Sequence, residues 1–292
     1  MILEDLLGLF APGRLVPAGF LRARGPQGWI VRRSGLNPAA IGRAIEGFRT
    51  GRSALRALKE EEKASVYAGL EMEDGRRICW KAYRSRRRGR RGLTRLHLLR
   101  SSGVPVPEPF FLWEPVGLEG VGAVLAMEDL APRPQLDLWL SEWLREVPGG
   151  AAACRDLRPL AAALGAAIRD LHARRIWLDD LKTCNIFLDR EPGPAPPSFH
   201  FIDVDGARCD AAVGEWQRIK NLFQINRSTP VGAGLSFRRA FWAEYRKGLP
   251  REARRRIRRQ ALERSADRPV VYIARQGMVE EPWPVRARDW PR

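Results

Sequence analysis

Residues 176–189 read IWLDDLKTCNIFLD, and this stretch decides how the rest of the chain is interpreted. Two apolar segments enclose a short polar loop that contains Asp180, Lys182 and Asn185. A carboxylate can orient or deprotonate a hydroxyl group, an amide oxygen can ligate Mg²⁺, and an ammonium can offset phosphate charge. The loop therefore favours metal-dependent phosphate chemistry, although a surface turn held by an Asp–Asn hydrogen bond would have the same residues.

The composition restricts the classes of protein and partner. The chain has 292 residues, of which 45% are hydrophobic, so it can form one large domain or one two-lobed domain. Its formal net charge is +17, and only six of its 51 basic residues are lysine. A positive field of this size favours polyanionic partners such as nucleic acid, anionic lipid head groups or phosphorylated saccharides. The oligomeric state is left open by the sequence.

Cysteine and histidine usage argues against a structural zinc site and a disulfide framework. The four cysteines are scattered, none forms a CxxC pair, and the chain has three histidines. The first residues, MILEDLLGLFAPGR, carry acids where a signal peptide has basic residues. No run of about 18 apolar residues occurs. We therefore expect reduced thiols, a cytoplasmic location and no membrane-spanning segment.

The sequence upstream of the loop is rich in strand signals. Residues 66–72 (VYAGLEM) and 77–83 (RICWKAY) are separated by an Asp-Gly turn, which predicts a β-hairpin. Lys81 lies within the second of these strands, where it either faces solvent at an edge or is buried for a function. Residues 110–113 and 122–127 predict further strands.

A break in composition after these strands predicts a linker between two lobes. Residues 128–134 read EDLAPRP, and beyond them apolar residues follow a helical period, as in the stripe from Leu157 to Leu171. His172 follows that stripe and is interpreted as a core or capping residue. Residues 199–204 (FHFIDV) predict a strand that ends near Asp203. The predicted parts are an N-terminal extension with a short helix over residues 38–48, a strand-rich lobe, a helical lobe and a tail: residues 1–55, 56–130, 131–265 and 266–292.

Two arginine-rich segments are candidates for contact with an anionic partner. The first, residues 84–91 (RSRRRGRR), is either a solvated loop or an anion-binding patch. No aromatic residues interleave in it, so base stacking on single-stranded nucleic acid is not indicated. The second segment lies in a predicted helix over residues 251–264, which either faces solvent or forms a contact surface.

Four residues, taken in order, supply the parts that phosphoryl transfer from ATP requires. A lysine holds the α- and β-phosphates, an aspartate faces the acceptor hydroxyl, and an asparagine and a second aspartate hold Mg²⁺. Lys81, Asp180, Asn185 and Asp203 occur in that order, and the predicted linker separates the lysine from the others. The stretch between Asn185 and Asp203 is long enough for two short strands and a turn. The whole pattern favours a kinase over a chance surface turn.

These motifs resemble those of the protein-kinase-like superfamily and, within it, the lipopolysaccharide kinase family, which includes Kdo and heptose kinases. DLKTCN resembles the catalytic loop D-L-K-x-x-N, and ICWKAY, with Lys81, resembles the aromatic-rich third strand. LLRSSGVPVPEP, AMEDL, IDVDGAR and NLFQINRS resemble further segments of the family, and a glycine-rich loop is absent here as there. The resemblance covers residues 59–247. It implies an α+β, two-lobed protein-kinase-like fold with a small antiparallel-sheet N-lobe and a mainly helical C-lobe.

The resemblance also implies a role for each site residue in a reaction that uses ATP and Mg²⁺. The catalytic residues would be Asp180, which faces the acceptor hydroxyl, and Lys182, which steadies the γ-phosphate. The other implied assignments are Asn185, Asp203 and Asp205 for the metal and Lys81, Glu128 and Leu130 for the nucleotide, the last two through the backbone.

The implied acceptor is a sugar hydroxyl, of Kdo or heptose, in the inner core of lipopolysaccharide. The expected partners are this anionic glycolipid, in which the core saccharide is attached to lipid A, and an anionic membrane surface, with no specific nucleic acid. The implied location is cytoplasmic and peripheral, at the inner face of the bacterial inner membrane. We expect Arg86–Arg91 and Arg254–Arg259 to face that surface.

Two departures from the family pattern affect this interpretation. The position of the catalytic-loop histidine is Leu178, so the loop requires another brace. No acid occurs between Lys81 and Glu108, so the glutamate that pairs with the strand lysine in the family is missing. Either Glu71 or Glu73 substitutes for it, or activity is weak. The alternative function is therefore a pseudokinase that acts as a nucleotide- or anion-binding module.

Overall fold

The computed structural model describes residues 17–283, apart from residues 26, 52–54, 61, 63, 73, 147–156, 191–195, 210 and 267. Glu73, which was predicted as a possible substitute acid, lies outside the described residues. The chain divides into two compact units, Met1–Ala131 and Pro132–Arg292. Within the described part of the chain, no helix is both long enough and apolar enough to cross a membrane.

The first unit is built on one seven-stranded antiparallel sheet. The strand order is β1-β2-β6-β7-β5-β4-β3. β4 and β5 form the predicted hairpin, and Gly75 in its turn has a φ of 79°, which glycine adopts without strain. The strands are β1 (Phe20–Gly25), β2 (Gly28–Arg33), β3 (Arg56–Glu60), β4 (Ala64–Glu71), β5 (Arg77–Tyr83), β6 (Pro109–Pro115) and β7 (Ala123–Glu128).

Helix α1 (Pro38–Gly51) covers one face of this sheet. Successive side chains of a strand point to opposite faces, so Trp80 is fully buried on the α1 side while Lys81 is half-buried on the other. Phe48 of α1 packs on Trp80 with ring centroids 4.9 Å apart. The short helix predicted in this region is confirmed, and β1 and β2, which precede it, belong to the same sheet.

Helix α2 (Arg86–Ser101) packs against the other face of the sheet. Gly89 permits the close approach, since a Cβ at this position would lie 2.5 Å from the Cβ of Ala123 in β7. The arginine-rich segment therefore forms the first turns of a helix, which corrects its interpretation as a solvated loop. Arg90 binds Glu114 of β6 with two hydrogen bonds, of which the Nη2–Oε2 bond is 2.7 Å long. The Glu114 side chain is 2% exposed.

The second unit is mainly helical and contains three two-stranded sheets among its described residues. Together with the sheet-based first unit, it confirms the predicted α+β fold. The helices are α3 (Leu136–Glu146), α4 (Arg158–Ala173), α5 (Glu215–Ser228), α6 (Gly234–Tyr245) and α7 (Arg251–Ala266). The strand pairs are β8 (Ile176–Trp177) with β11 (Arg208–Cys209), β9 (Ile186–Arg190) with β10 (Ser198–Phe201), and β12 (Val270–Ala274) with β13 (Gly277–Glu281).

Helix α4 forms on the predicted apolar stripe and leads directly into β8. Leu164 and Ile168 are among the stripe residues that it buries. Gly165 packs against α6, where a Cβ would collide with the backbone carbonyl of Phe241. This close helix pair supports the start of the polar loop that follows β8.

The β12–β13 hairpin lies in a stretch where the sequence showed no periodicity. A buried carboxylate attaches it to the start of α3. Asp137 is 0% exposed, and its Oδ2 accepts the Ile273 N–H at 2.7 Å. The hairpin thus closes the second unit through a contact that is distant in sequence, which explains why the sequence did not predict it.

Candidate active site

The DLK loop (residues 178–185) joins β8 to β9 in the second unit. Leu178 and Leu181 anchor it, since these residues are only 5% and 2% exposed. Thr183–Asn185 form one 3₁₀ turn at its end. This folding brings together the three polar residues that were predicted for the loop.

Asp180, Lys182 and Asn185 form one hydrogen-bonded group. The Lys182 Nζ lies 2.9 Å from Asp180 Oδ1 and 3.1 Å from Oδ2. The Asn185 Nδ2 donates to the Asp180 carbonyl at 2.9 Å and to its Oδ2 at 3.1 Å. The Asp180 side chain is 33% exposed. The carboxylate is therefore fixed by neighbouring donors and still accessible to a substrate.

Gln224 of α5 holds the same carboxylate from another side. Its Nε2 donates to Asp180 Oδ1 at 3.2 Å and to the Asp179 carbonyl at 2.9 Å. Its Oε1 accepts the Leu181 N–H at 3.2 Å. One amide side chain thus contacts three consecutive residues of the DLK loop and fixes the orientation of Asp180.

Asn221, one turn earlier on α5, links the loop to a buried histidine. Its Nδ2 donates to the Leu178 carbonyl at 2.8 Å, and its Oδ1 lies 3.0 Å from His172 Nε2. The other ring nitrogen lies 2.9 Å from the Tyr245 hydroxyl. Burial lowers the pKa of His172 to about 4, so the ring is neutral near pH 7. The prediction that His172 is a core residue is confirmed. The side-chain amide of Asn221 braces the DLK loop at Leu178, the position at which the family pattern has a histidine.

The β9–β10 pair brings Asp203 next to Asn185. Ile186 pairs with Phe201, and the Ile202 N–H donates to the Asn185 carbonyl at 2.9 Å. Asp203 follows with a φ of 54°, in the left-handed region that few residues other than glycine, asparagine and aspartate adopt. Such strained backbone is common where a side chain is held for a function.

The turn after Asp203 packs against the start of the DLK loop. Val204–Gly206 form a 3₁₀ turn that contains the half-buried Asp205. A Cβ at position 206 would lie 2.8 Å from the Cβ of Asp179, so the contact depends on glycine. Asp179 also forms an ion pair with Lys220 of α5. Its carboxylate therefore has a structural contact of its own, separate from that of Asp180.

The donor set of Asn185 and Asp203 suits Mg²⁺ bound together with phosphates. The Asn185 Nδ2 points to Asp180. Among the described residues, the Asn185 Oδ1 has only a weak contact, 3.9 Å from the Cys184 thiol. Among the described residues, no group of three or more His, Cys, Asp or Glu side chains is arranged to hold a metal alone. In proteins Mg²⁺ takes one or two carboxylates, waters and substrate phosphates, so fewer protein ligands suffice.

In the first unit, Lys81 lies on an interior strand. β5 is flanked by β4 on one side and β7 on the other, so Lys81 is not at a sheet edge. Its Nζ lies 5.4 Å from the centre of the Tyr83 ring. Burial and the charge of Asp129 raise the pKa of the neighbouring Cys79 to about 12, while the charge of Lys81 opposes this rise. Cys79 and Lys81 are two residues apart on β5, so their side chains lie on the same face of the sheet, where Lys81 is half-buried.

The backbone after β7 offers one hydrogen-bond donor. The Glu128 and Asp129 N–H groups donate to the carbonyls of Glu108 and Arg77 at 2.8 and 3.1 Å. The Leu130 N–H has no hydrogen-bond partner among the described residues, although the residue is only 4% exposed. The Glu128 carboxylate accepts the Glu108 N–H at 3.1 Å and so fixes this segment. A buried N–H without a partner is rare and indicates a place for a ligand acceptor.

The acid that pairs with the strand lysine in the family has no counterpart in α2. The helix contains no acidic residue, and Arg90 attaches it to the sheet instead. Glu71 lies opposite Arg77, four residues along β5 from Lys81, which corresponds to about 13 Å. Glu71 therefore does not substitute for the missing acid, which corrects that alternative.

Sequence reasoning missed the α5 residues Lys220, Asn221 and Gln224, which hold the DLK loop, and the exposed Trp216 on the same helix. Trp216, Lys220 and Gln224 recur every four residues and so share one helix face. That spacing was a signal of a functional face. It also missed the buried Glu114, for which a lone acid in the apolar strand PFFLWEP was a signal.

Comparisons with known proteins identify the family and the fold of this chain. The model of the lipopolysaccharide kinase (Kdo/WaaP) family matches residues 37–248. Among solved structures, WaaP in complex with acyl carrier protein is 22% identical over 74% of this chain and 91% of that chain, with a TM-score of 0.50. As many as 831 chains of solved structures match, so the fold is widely shared and does not by itself assign a function. No curated protein sequence gives a match.

Proposed function

Because the chain belongs to the lipopolysaccharide kinase (Kdo/WaaP) family, we propose that it transfers the γ-phosphoryl group of ATP to a hydroxyl of Kdo or heptose in the lipopolysaccharide inner core. The observation that carries the proposal is the Asp180 carboxylate. It is held by Asn185 and Gln224 and remains 33% exposed. Phosphoryl transfer depends mainly on positioning and electrostatics, and this group supplies both.

Asp180 acts on the acceptor sugar. Beyond the lone pairs used by Asn185 and Gln224, its oxygens have lone pairs that Lys182 contacts in this structure. When Lys182 turns to the γ-phosphate, one of these lone pairs accepts a hydrogen bond from the acceptor hydroxyl. As the sugar oxygen forms its bond to the γ-phosphorus, the bond from that phosphorus to the β–γ bridging oxygen breaks and ADP leaves. The hydroxyl proton passes to Asp180. Positioned proton transfer of this kind contributes about 10²–10⁴-fold to rate.

Lys182 and the two proposed metal ligands act on the phosphates. The Lys182 side chain is 48% exposed, so its Nζ can extend to the γ-phosphate and offset its charge. Asn185 and Asp203 would hold Mg²⁺ through one amide and one carboxylate oxygen, with Asp205 as a further ligand. Bound there, Mg²⁺ supplies the charge neutralisation that phosphoryl transfer requires.

The nucleotide would be held by residues of the first unit. The Leu130 N–H, which has no hydrogen-bond partner among the described residues, would donate to a ring nitrogen of adenine. The backbone carbonyl of Glu128 would accept a hydrogen bond from the adenine amino group. Lys81, half-buried on β5, would bind the α- and β-phosphates.

The arginine-rich helices would bring the protein to an anionic glycolipid at the inner face of the membrane. Arg87, Arg88 and Arg91 are exposed on α2, and Arg255 and Arg259 on α7. Each arginine near an anionic surface contributes about 1 kcal/mol to binding.

Several arginines within the predicted contact runs have other partners, among them Arg259, which forms an ion pair with Glu263 at 3.7 Å. Arg90 is paired with Glu114, and Arg256 with Glu215. The contact surfaces are therefore smaller than the arginine runs themselves. Because WaaP has been solved with acyl carrier protein, a pull-down with that protein would test whether the same partner binds here.

A phosphotransfer assay with core oligosaccharide, ATP and Mg²⁺ tests the proposal. We expect Asp180→Ala to lower kcat by about 10³-fold. A matched control is Asp170→Ala, which removes an exposed carboxylate from α4 that is paired with Arg169 and should leave the rate within about twofold. Equal rates for wild type and Asp180→Ala would remove the enzyme claim.

A non-catalytic binding module is the second candidate. The absence of an acid in α2 favours it, since Lys81 then lacks the glutamate of the family pattern. This candidate predicts that ATP binds to the wild type and is not turned over. Equilibrium binding of ATP, measured beside the phosphotransfer assay, separates the two candidates.

A further inference from the structure

One face of α5 runs from an exposed tryptophan to the brace of Asp180. Trp216, Lys220 and Gln224 lie four residues apart and therefore on one line along the helix. Trp216 is 55% exposed, an unusual exposure for so large an apolar ring. At the other end of the line, Gln224 donates to Asp180 Oδ1 at 3.2 Å. The exposed ring is thus on the same helix face as the proposed reacting carboxylate.

Trp216 is fixed in place by a second tryptophan beneath it. Trp177, at the end of β8, is 3% exposed, and its ring centroid lies 5.9 Å from that of Trp216. The Trp177 Nε1 donates to the carbonyl of Gln217 at 3.3 Å, which holds the first turn of α5 to β8. Trp216 therefore rests on a fixed support and keeps more than half of its surface open.

Two cations border the rings. The Arg208 guanidinium lies 5.4 Å from the centre of the Trp177 ring, and the Lys220 Nζ lies 5.1 Å from it and 5.8 Å from the Trp216 ring. Lys220 is paired with Asp179. Arg208 is exposed and forms no ion pair with any described residue. The positive charge available to a ligand at this surface is therefore that of Arg208.

Along α5, Trp216 is separated from Gln224, which braces Asp180, by more than the length of one sugar ring. Trp216 and Gln224 are eight residues apart on the helix, which corresponds to about 12 Å along its axis. A single pyranose whose hydroxyl contacts Asp180 would not extend to Trp216. A ligand that uses both places must have at least two linked sugars.

We propose that Trp216 and Arg208, together the Trp216 platform, bind a second, anionic sugar of the acceptor beside the sugar that is phosphorylated. This inference rests on the proposed kinase function and narrows its acceptor to an oligosaccharide with a carboxylate or phosphate. The C–H face of a pyranose packs on an indole ring as other apolar faces do. The guanidinium of Arg208 matches a carboxylate or phosphate with two parallel hydrogen bonds.

Direct binding tests the platform without reference to turnover. The probe is the oligosaccharide released from lipopolysaccharide by removal of its acyl chains, titrated into the full chain by calorimetry. We expect Trp216→Ala and Arg208→Ala each to raise Kd by about 10-fold, and Trp216→Phe to retain most of the affinity. Arg246→Ala and Met278→Ala, which remove exposed side chains elsewhere in the second unit, should leave Kd unchanged.

Kinetics supply the second test. With the oligosaccharide as acceptor, Trp216→Ala should raise the acceptor KM by about 10-fold and leave the KM for ATP within about twofold. With Kdo alone as acceptor, wild type and Trp216→Ala should be equally poor, since a single sugar does not extend to the platform. Unchanged circular dichroism and thermal melting of Trp216→Ala would show that this substitution at an exposed position leaves the fold intact.

The outcomes of these experiments separate the Trp216 platform from the proposed kinase reaction and from a membrane contact. Equal oligosaccharide affinity in wild type, Trp216→Ala and Arg208→Ala would overturn the platform and leave the kinase proposal standing. Binding that depends on Trp216, without any phosphate transfer by the wild type, would support the platform and refute the proposed reaction. If the substitutions instead weakened binding to anionic phosphatidylglycerol vesicles and left the oligosaccharide affinity unchanged, the surface would be a membrane contact and the platform would be refuted.

Discussion

The DLK loop in the second unit and the Lys81 strand in the first unit hold their candidate residues in different ways. Asp180 is contacted by Lys182, Asn185 and Gln224, all within 3.2 Å. Lys81 is positioned by the strands on either side of β5, and no acid is supplied by α2. The chain thus keeps the family pattern where the phosphate and acceptor would react, and departs from it where the nucleotide would be held.

The glutamate that is missing from α2 is not replaced by another acid in that helix, but another ion pair holds the helix to the sheet. Arg90 of α2, which is itself exposed, pairs with the buried Glu114 of β6. The pair fixes the helix to the sheet, as an ion pair between helix and strand lysine also would, but it leaves the charge of Lys81 to other groups. We therefore expect substitutions in the second unit to abolish turnover and substitutions in the first unit to alter nucleotide affinity.

The largest expected effect is that of Asp203→Ala. Because this variant removes a carboxylate that would hold Mg²⁺, its kcat should fall by about 10³-fold. The phosphotransfer rate should also depend less strongly on the Mg²⁺ concentration than that of the wild type. A Mg²⁺ titration of the phosphotransfer rate measures this. A variant whose Mg²⁺ dependence equals that of the wild type would show that Asp203 is not a ligand.

Lys81→Ala tests the first unit in the same assay. It should lower kcat/KM by about 100-fold, mainly through a higher KM for ATP, because it removes a contact with the α- and β-phosphates. Lys81→Arg keeps the charge and serves as the matched control. A lower kcat with an unchanged KM for ATP would contradict the role of Lys81 in binding the α- and β-phosphates. Substitutions in both units would then affect turnover in the same way.

Gln224→Ala tests whether α5 positions Asp180. It removes a donor to Asp180 Oδ1 and an acceptor for the Leu181 N–H. We expect kcat to fall by about 10-fold with an unchanged KM for ATP. Gln224→Glu keeps the acceptor and places a negative charge beside Asp180, so it should also raise the pH at which activity appears. An unchanged pH profile in that variant would argue against the contact.

Arg90→Ala should change stability rather than chemistry. It leaves the 2%-exposed carboxylate of Glu114 without its partner, which should cost about 2–3 kcal/mol of unfolding free energy. The double variant Arg90→Leu with Glu114→Leu removes both charges and should recover most of this loss. Denaturant unfolding measures the difference. No loss in the single variant would mean that α2 is held by its apolar contacts alone.

Asp137 provides the corresponding stability test in the second unit. Burial raises its pKa to about 6 in the folded chain, above the ordinary value of 3.8. Between these values the unfolded chain is ionised while the folded chain keeps its proton, so stability should fall as pH rises from about 4 to about 6. Asp137→Asn keeps an acceptor for the Ile273 N–H and should flatten this dependence. Thermal melting as a function of pH measures both, and equal slopes would contradict the assignment.

The sequence predicted features that depend on short-range patterns. The Asp-Gly hairpin of β4 and β5, the Leu157–Leu171 helical stripe, and the helix over residues 38–48 follow from local spacing, and each is present. The grouping of Asp180, Lys182 and Asn185 also follows from a tight loop. These features required no knowledge of distant contacts.

Features that depend on distant partners were not predicted. Gln224 and Asp180 are 44 residues apart, and Ile273 and Asp137 are 136 residues apart. Arg90 was one of several arginines in a run, and nothing local distinguishes it from its exposed neighbours. Only the folded sheet shows that it reaches Glu114. Polar contacts of this kind are decided by tertiary structure, so a single sequence does not reveal them.

The most direct test of the central claim is mass spectrometry of the acceptor. Core oligosaccharide from lipopolysaccharide is incubated with ATP, Mg²⁺ and either the wild type or Asp180→Ala. We predict that the wild type adds one phosphate to a Kdo or heptose residue, and that the variant adds none in the same time. An acceptor left unmodified by a wild-type protein that binds ATP would contradict the claim, as would equal modification by the two proteins.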